Sequence, residues 1–123
     1  MNDEEATFSA EFSRRVLGPV ALSDIRCAPL RYDRRREDIR RDRNDDFLMT
    51  LMLAGRARLE QGGRVALQGP GDLVLYDAAR EFAYDFDKPY RILLLRIPRR
   101  TLLSRLHDAE RLTAVSMSDS SSV

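Results

Sequence analysis

One histidine, one cysteine and one lysine in 123 residues remove several kinds of chemistry at the outset. A metal centre of imidazoles, thiolates and carboxylates needs several ligands converging at about 2.0–2.3 Å, and His107 and Cys27 make a thin supply. With Cys27 alone no internal disulfide can form, which fits a reducing compartment and a cytoplasmic location. No window approaches the roughly 20 apolar residues that a membrane helix requires. The acidic opening Met1–Glu5 carries no secretory-signal pattern. An excess of one charge is missing too: 21 basic residues against 20 acidic ones leave a net charge of +1. Nothing global therefore points to a nucleic acid, whose phosphates attract net positive surfaces.

What is present is a ladder of short apolar segments cut by tight turns. The chain has the size for one domain with its own core, and 43% of it is hydrophobic. From Asp46 to Pro98 apolar residues alternate along most segments, interrupted at Gly62-Gly63 and Gly69-Pro70-Gly71-Asp72. Phe47–Leu53 is apolar almost throughout, as in a strand covered on both faces. Ala57–Gln61 and Val65–Leu67 read as a hairpin around the two glycines. Leu73–Tyr76, Phe82–Phe86 and Ile92–Ile97 read as further strands, with Phe82, Tyr84 and Phe86 on one face. Such a chain curls a sheet into a small sandwich or barrel.

The flanks are less regular. Phe8 and Phe12, four apart, suggest a short helix over residues 6–16, and Val20–Cys27 and Pro29–Tyr32 read as strands. Asp33–Asp46 sets six arginines against six acids, which predicts a solvated loop laced with ion pairs rather than a basic arm. Pro98 suits the first turn of a helix over residues 98–112, striped by Leu102, Leu103 and Leu106. The serine-rich end, from residue 113 to 123, reads as a disordered tail.

Catalytic candidates are few. His107 falls on the predicted helix, far from any nucleophile in the sheet that it could activate. Asp72 could serve as a base, but a turn carboxylate bonding nearby backbone N–H groups is the simpler role. Cys27 reads as a packed strand residue.

The segments RARLEQGGRVALQGPGDLVLYD, REFAYDF and IPRRTLLSRL, in this order and spacing, resemble the N-terminal sensing domain of AraC/XylS-type transcription regulators. Gln61, Gly63, Arg64, Pro70, Gly71, Asp72, Pro98, Arg99 and Leu102 carry the likeness, which spans roughly residues 20–106. It implies a mainly β fold: a cupin-like β-barrel (double-stranded β-helix or jelly roll) of about eight strands, with a C-terminal helix packed against it. The expected layout is an N-terminal arm (1–15), the barrel (16–97), the helix (98–112) and the tail (113–123).

Complete regulators of this type continue into two helix-turn-helix motifs, and this chain stops before them. By itself it is not expected to bind operator DNA. Metal-dependent cupins place histidines and a glutamate where this sequence has Asp42, Arg43, Asn44, Leu48 and Phe82, so neither metal nor cofactor is expected.

What remains is the barrel interior. Small barrels either fill with side chains or hold one small ligand. Phe47, Met49, Tyr76, Phe82, Tyr84 and Arg96 are the candidates for its lining, and Arg34 could grip a carboxylate at the mouth by a forked pair. The likeness further implies a homodimer formed through the helix bearing Leu102, Leu103 and Leu106. The expected function is effector sensing and dimerisation without catalysis. The alternatives are a metal-independent cupin-like isomerase or lyase, and a purely structural dimerisation module with a solid core.

Overall fold

The structure, a computed structural model, describes residues 11–118. It is mainly β, with ten strands among the described residues in two facing sheets. The strands are β1 (Glu11–Leu17), β2 (Val20–Cys27), β3 (Leu30–Arg34), β4 (Phe47–Ala54) and β5 (Ala57–Gln61). They continue as β6 (Arg64–Gln68), β7 (Asp72–Asp77), β8 (Phe82–Phe86), β9 (Tyr90–Ile97) and β10 (Ser116–Ser118). One sheet runs β1-β2-β9-β4-β7-β10 and the other β3-β8-β5-β6, every named pairing antiparallel. The pair of sheets stays open rather than closing into a continuous barrel.

The turns form as their residues require. Gly62 and Gly63 take φ of +61° and +78°, which suits the twist of a two-residue hairpin. Gly55, at φ +94°, joins β4 to β5 where a Cβ would lie 2.7 Å from the Pro89 carbonyl oxygen. Asp72 accepts the Gly69 N–H at 2.8 Å, so it is the turn carboxylate of the simpler expectation.

Strand β4 is apolar on both faces because both are covered. Its inner face carries Met52, with Leu48 packed nearby, into the core between the sheets. Its outer face sets Phe47 and Met49 against Leu75, Ala109, Leu102, Leu103 and Leu112. A smaller core therefore sits behind the six-stranded sheet.

Three flanking expectations give way. Glu11–Leu17 is strand rather than helix: a hairpin at Gly18 (φ +62°) pairs it along its whole length with β2, and that ladder overrides the Phe spacing. The strand thus starts inside the expected arm; residues 6–10, where the helix was to begin, lie outside the described residues.

The helix of residues 98–112 shortens to Arg99–Leu103 (α2), followed by turns and a 3₁₀ segment, Ala109–Leu112. Breaking the helix lets fully buried Ala109 and half-buried Leu112 reach Leu75 and Phe47. The tail is not wholly irregular either. Ser116–Ser118 pairs with the edge of β7, where backbone hydrogen bonds need no side-chain pattern.

The charged segment holds one short helix, α1 (Arg36–Arg41). Asp38 accepts the Arg35 N–H at 2.8 Å, and the acids of the first turn and arginines of the last complement the helix dipole. Around it run the expected ion pairs, including Arg31–Asp33 at 3.1 Å.

Candidate functional site

The inner faces of the sheets enclose a pocket of about 280 Å³. Strand β8 presents Phe82, Tyr84 and Phe86 from one sheet. Strands β9, β4 and β7 present Ile92, Leu94, Arg96, Leu48 and Tyr76 from the other. Leu30 and Tyr32 of β3, with Asp42 and Asn44 of the α1–β4 connection, complete much of its rim.

The rings lean on one another. Tyr76 meets Phe82 and Tyr84 edge-on at 4.9 and 5.3 Å, while Tyr84, Phe86 and Tyr90 stack at 4.4 and 3.8 Å. Edge-on and offset contacts of this kind hold aromatic walls in fixed orientation.

Beneath the rings lies a closed polar network. Tyr84 donates its hydroxyl hydrogen to Gln68 Oε1, and Thr50 Oγ1 stands 2.6 Å from the same phenol oxygen. The Gln68 amide donates to the Thr50 and Asp72 carbonyls at 3.0 and 3.1 Å. Each buried polar group of this set is thereby paired, as stability demands.

The two pocket arginines have different duties. Arg34 is buried, and its guanidinium donates to the carbonyl oxygens of Ala78 (2.6 Å), Asp42 (2.7 Å) and Asn44 (3.2 Å). It braces the loop at the pocket rim through Nε and one terminal nitrogen, while the other terminal nitrogen stands 3.7 Å from the Asp42 carboxylate. Arg96 differs: among the described residues its side chain makes no hydrogen bond, and its one ion pair is a 3.7 Å approach of Nε to Asp46.

Of the residues expected to line the pocket, Tyr76, Phe82, Tyr84, Arg96 and Arg34 do so, and Phe47 and Met49 do not. Alternation separates the faces of a strand but cannot say which faces inward when both are apolar. Leu48 holds the inward position instead. Phe86, Ile92 and Leu94 were legible by the same period, two residues on from Tyr84 and four and two before Arg96. Tyr32 and Asn44 carried no such signal. Leu102 and Leu103 pack half-buried onto the outer core, while Leu106 is 38% exposed. His107 is exposed and does not line the pocket. Among the described residues no group of three His, Cys, Asp or Glu side chains converges as metal ligands would.

Burial drives the phenols of Tyr76, Tyr84 and Tyr90 well above the ordinary tyrosine range; at Tyr90 a hydrogen bond with Cys27 adds to it. These groups hold their protons more tightly folded than unfolded, so their contribution to stability is complete below about pH 10 and lost above it. Alkaline titration followed by ultraviolet absorbance and circular dichroism is therefore expected to show these phenols ionising together with unfolding. Gradual ionisation of all three in a folded protein would contradict the buried placement.

Two facing antiparallel sheets around an aromatic pocket define a cupin-like domain. Over residues 1–121 the chain matches the family described as AraC-binding-like domain, and it belongs to that family. It is 32% identical over 99 residues to the transcriptional activator NphR of Rhodococcus sp., covering 80% of this chain and 30% of NphR. The crystal structure of the AraC-like transcriptional activator CuxR superposes with a TM-score of 0.85 at 22% identity, over 97% of this chain and 44% of CuxR. A cupin superfamily protein from Desulfitobacterium hafniense aligns over 72% of this chain and 77% of its own, with a TM-score of 0.57 at 13% identity. The chain spans less than half the length of the curated relatives it matches.

Proposed function

We propose that this chain is the regulatory module of an AraC-type transcription regulator. It binds a small organic effector between its sheets, self-associates as a homodimer in the cytoplasm, and acts on DNA only through a helix-turn-helix module outside this sequence. The observation that carries this reading is the two-sided role of β7. Tyr76 enters the pocket, while its neighbours Leu75 and Asp77 hold the C-terminal segment on the opposite face. The Ala114 N–H also donates to the Leu75 carbonyl at 2.8 Å. A ligand that displaces Tyr76 has a direct route through one strand to the segment following β9. Differential affinity for two arrangements of that strand is all that a population shift requires.

The pocket groups favour binding over catalysis. Its phenols are held protonated and Arg34 donates to carbonyl oxygens at the rim, a set better suited to holding a ligand than to moving protons. No helix of the described residues is long and apolar enough to cross a membrane. For dimerisation, Leu106 is the member of the expected stripe with most surface to offer, since Leu102 and Leu103 are partly spent on the outer core.

Native mass spectrometry of protein purified without chelator tests the proposal. A dimer mass with a co-purified organic molecule, or with saturable uptake of one, is the expected result. A monomer that takes up nothing, or a stoichiometric metal with turnover of a substrate, would overturn it.

A further inference from the structure

The outer face of the six-stranded sheet is apolar well beyond the part that the C-terminal segment covers. Pairing places Leu22 and Leu95 in one row across β2 and β9, a row that Met49 and Leu75 continue beneath α2. Leu93, Leu51, Leu73 and Met117 form the next row, across β9, β4, β7 and β10. These positions alternate with Leu94, Arg96 and Tyr76 on the pocket side, so they point away from the pocket. Leu22, Leu95 and the four residues of the second row lie outside the outer core, and each is only half-buried.

Four inter-strand steps separate β2 from β10, about 19 Å in all, and the strip left bare measures on the order of 200 Å². Half-buried Leu102 and Leu103 and exposed Leu106 border it. With them it reaches the few hundred Å² at which an apolar patch marks a contact surface.

The two ends of the strip select its occupant. At one end α2 and the 3₁₀ segment stand up from the sheet as a ridge, and Asp108 between them is exposed with no ion pair among the described residues. At the other end Arg26 and Arg91 lie side by side. Asp24 holds Arg91 at 2.8 Å, while Arg26 is exposed and makes no ion pair among the described residues. A two-fold axis running across the strands, midway between the leucine rows, turns the ridge end of one copy over the arginine end of the other. The rows then meet, and Asp108 of each copy approaches Arg26 of the other. The strip is complementary to itself in relief and in charge.

We propose that this outer face is the homodimer surface, two copies packing strip to strip about a two-fold axis that crosses the strands. The assignment rests on the reading of the domain as a homodimer, and it moves the contact from the stripe of Leu102, Leu103 and Leu106 to the sheet. Strips, ridge flanks and charged ends together bury on the order of 1,000 Å², short of the roughly 1,600 Å² of a standard interface, so the dimer is a micromolar one.

Sedimentation equilibrium of the 123-residue chain, from about 1 to about 200 µM, tests the assignment. A monomer–dimer equilibrium with a micromolar dissociation constant is expected. Leu93→Glu should raise that constant by about 30-fold or more, as loss of a central apolar contact does. Leu67→Glu, on the opposite sheet at 69% exposure, should leave it unchanged. Arg26→Asp should raise it about tenfold, and Asp108→Arg added to it should restore most of the affinity. Both of those side chains are exposed, so the charge swap tests the contact without disturbing the fold. Circular dichroism checks the folding of each variant.

A dimer that survives Leu93→Glu and is lost in Leu106→Glu overturns the sheet face and leaves the homodimer reading standing. Association that grows beyond the dimer with concentration overturns the two-fold arrangement. A chain that stays monomeric at the highest concentration overturns the proposal and the homodimer reading together, and leaves the face to a partner of another sequence.

Discussion

Phe47→Ala is expected to lower the melting temperature by on the order of 15 °C, the effect of removing about 3–5 kcal/mol from a domain of this size. The ring has no exposure and stands at the centre of the outer core, against Leu75, Ala109, Leu102, Leu103 and Leu112. These neighbours come from β7, α2 and the 3₁₀ segment, none of which can collapse into the gap without leaving its own strand or turn. The residual cavity therefore adds to the lost transfer free energy. Differential scanning fluorimetry with urea titration reads the effect; a fall of less than about 5 °C would mean that the outer core is not a stability centre.

The second large effect belongs to the cation above that ring. The Arg99 guanidinium lies 4.4 Å from the Phe47 centroid and pairs with Asp77, which is 1% exposed. Arg99→Met keeps most of the stem volume but leaves the Asp77 carboxylate, among the described residues, with only the Ala79 N–H as donor, at 2.9 Å. Stranding a buried carboxylate typically costs 3–5 kcal/mol, and about 3 kcal/mol is expected here because Arg99 is itself partly solvated. Asp77→Asn in the same chain should recover much of the loss, since the amide carries no charge to strand. A cost within about 0.5 kcal/mol of zero, in the range of ordinary surface substitutions, would mean that the pair is no more than a surface contact. Phe47 and Arg99 touch, so their losses should not add, and a double-mutant cycle would measure the coupling.

Much of this architecture was legible from residue pattern, and the gaps have physical causes. The hairpin at Gly62-Gly63 and the face shared by Phe82, Tyr84 and Phe86 follow from local rules that tertiary structure had no reason to override. Strand β4 marks the limit. Its apolar residues on both faces announce burial but not direction, and so Phe47 and Met49 were assigned to the pocket when they lie behind its wall. Arg34 was placed at the pocket, where it lies, but its bracing of the rim was not foreseen. Its partners are backbone carbonyls of Ala78, Asp42 and Asn44, which no side-chain pattern advertises. Both ends of the described chain were misread for one reason. Glu11–Leu17 and Ser116–Ser118 are edge strands held by ladder bonds to β2 and β7, and such bonds form whatever the side chains are.

The last of these strands bears on how the domain can be cut or joined. Met117 lies opposite Leu73, and the flanking serines opposite Val74 and Asp72, so three serine-rich residues occupy the outer edge of β7. A boundary drawn at residue 113, where composition turns polar, would remove them and expose a row of backbone donors and acceptors beside the pocket wall. Unpaired edges of that kind recruit strands from other chains. Reporter fusions, swapped output modules and shortened versions of this protein should therefore place their junctions beyond Ser118.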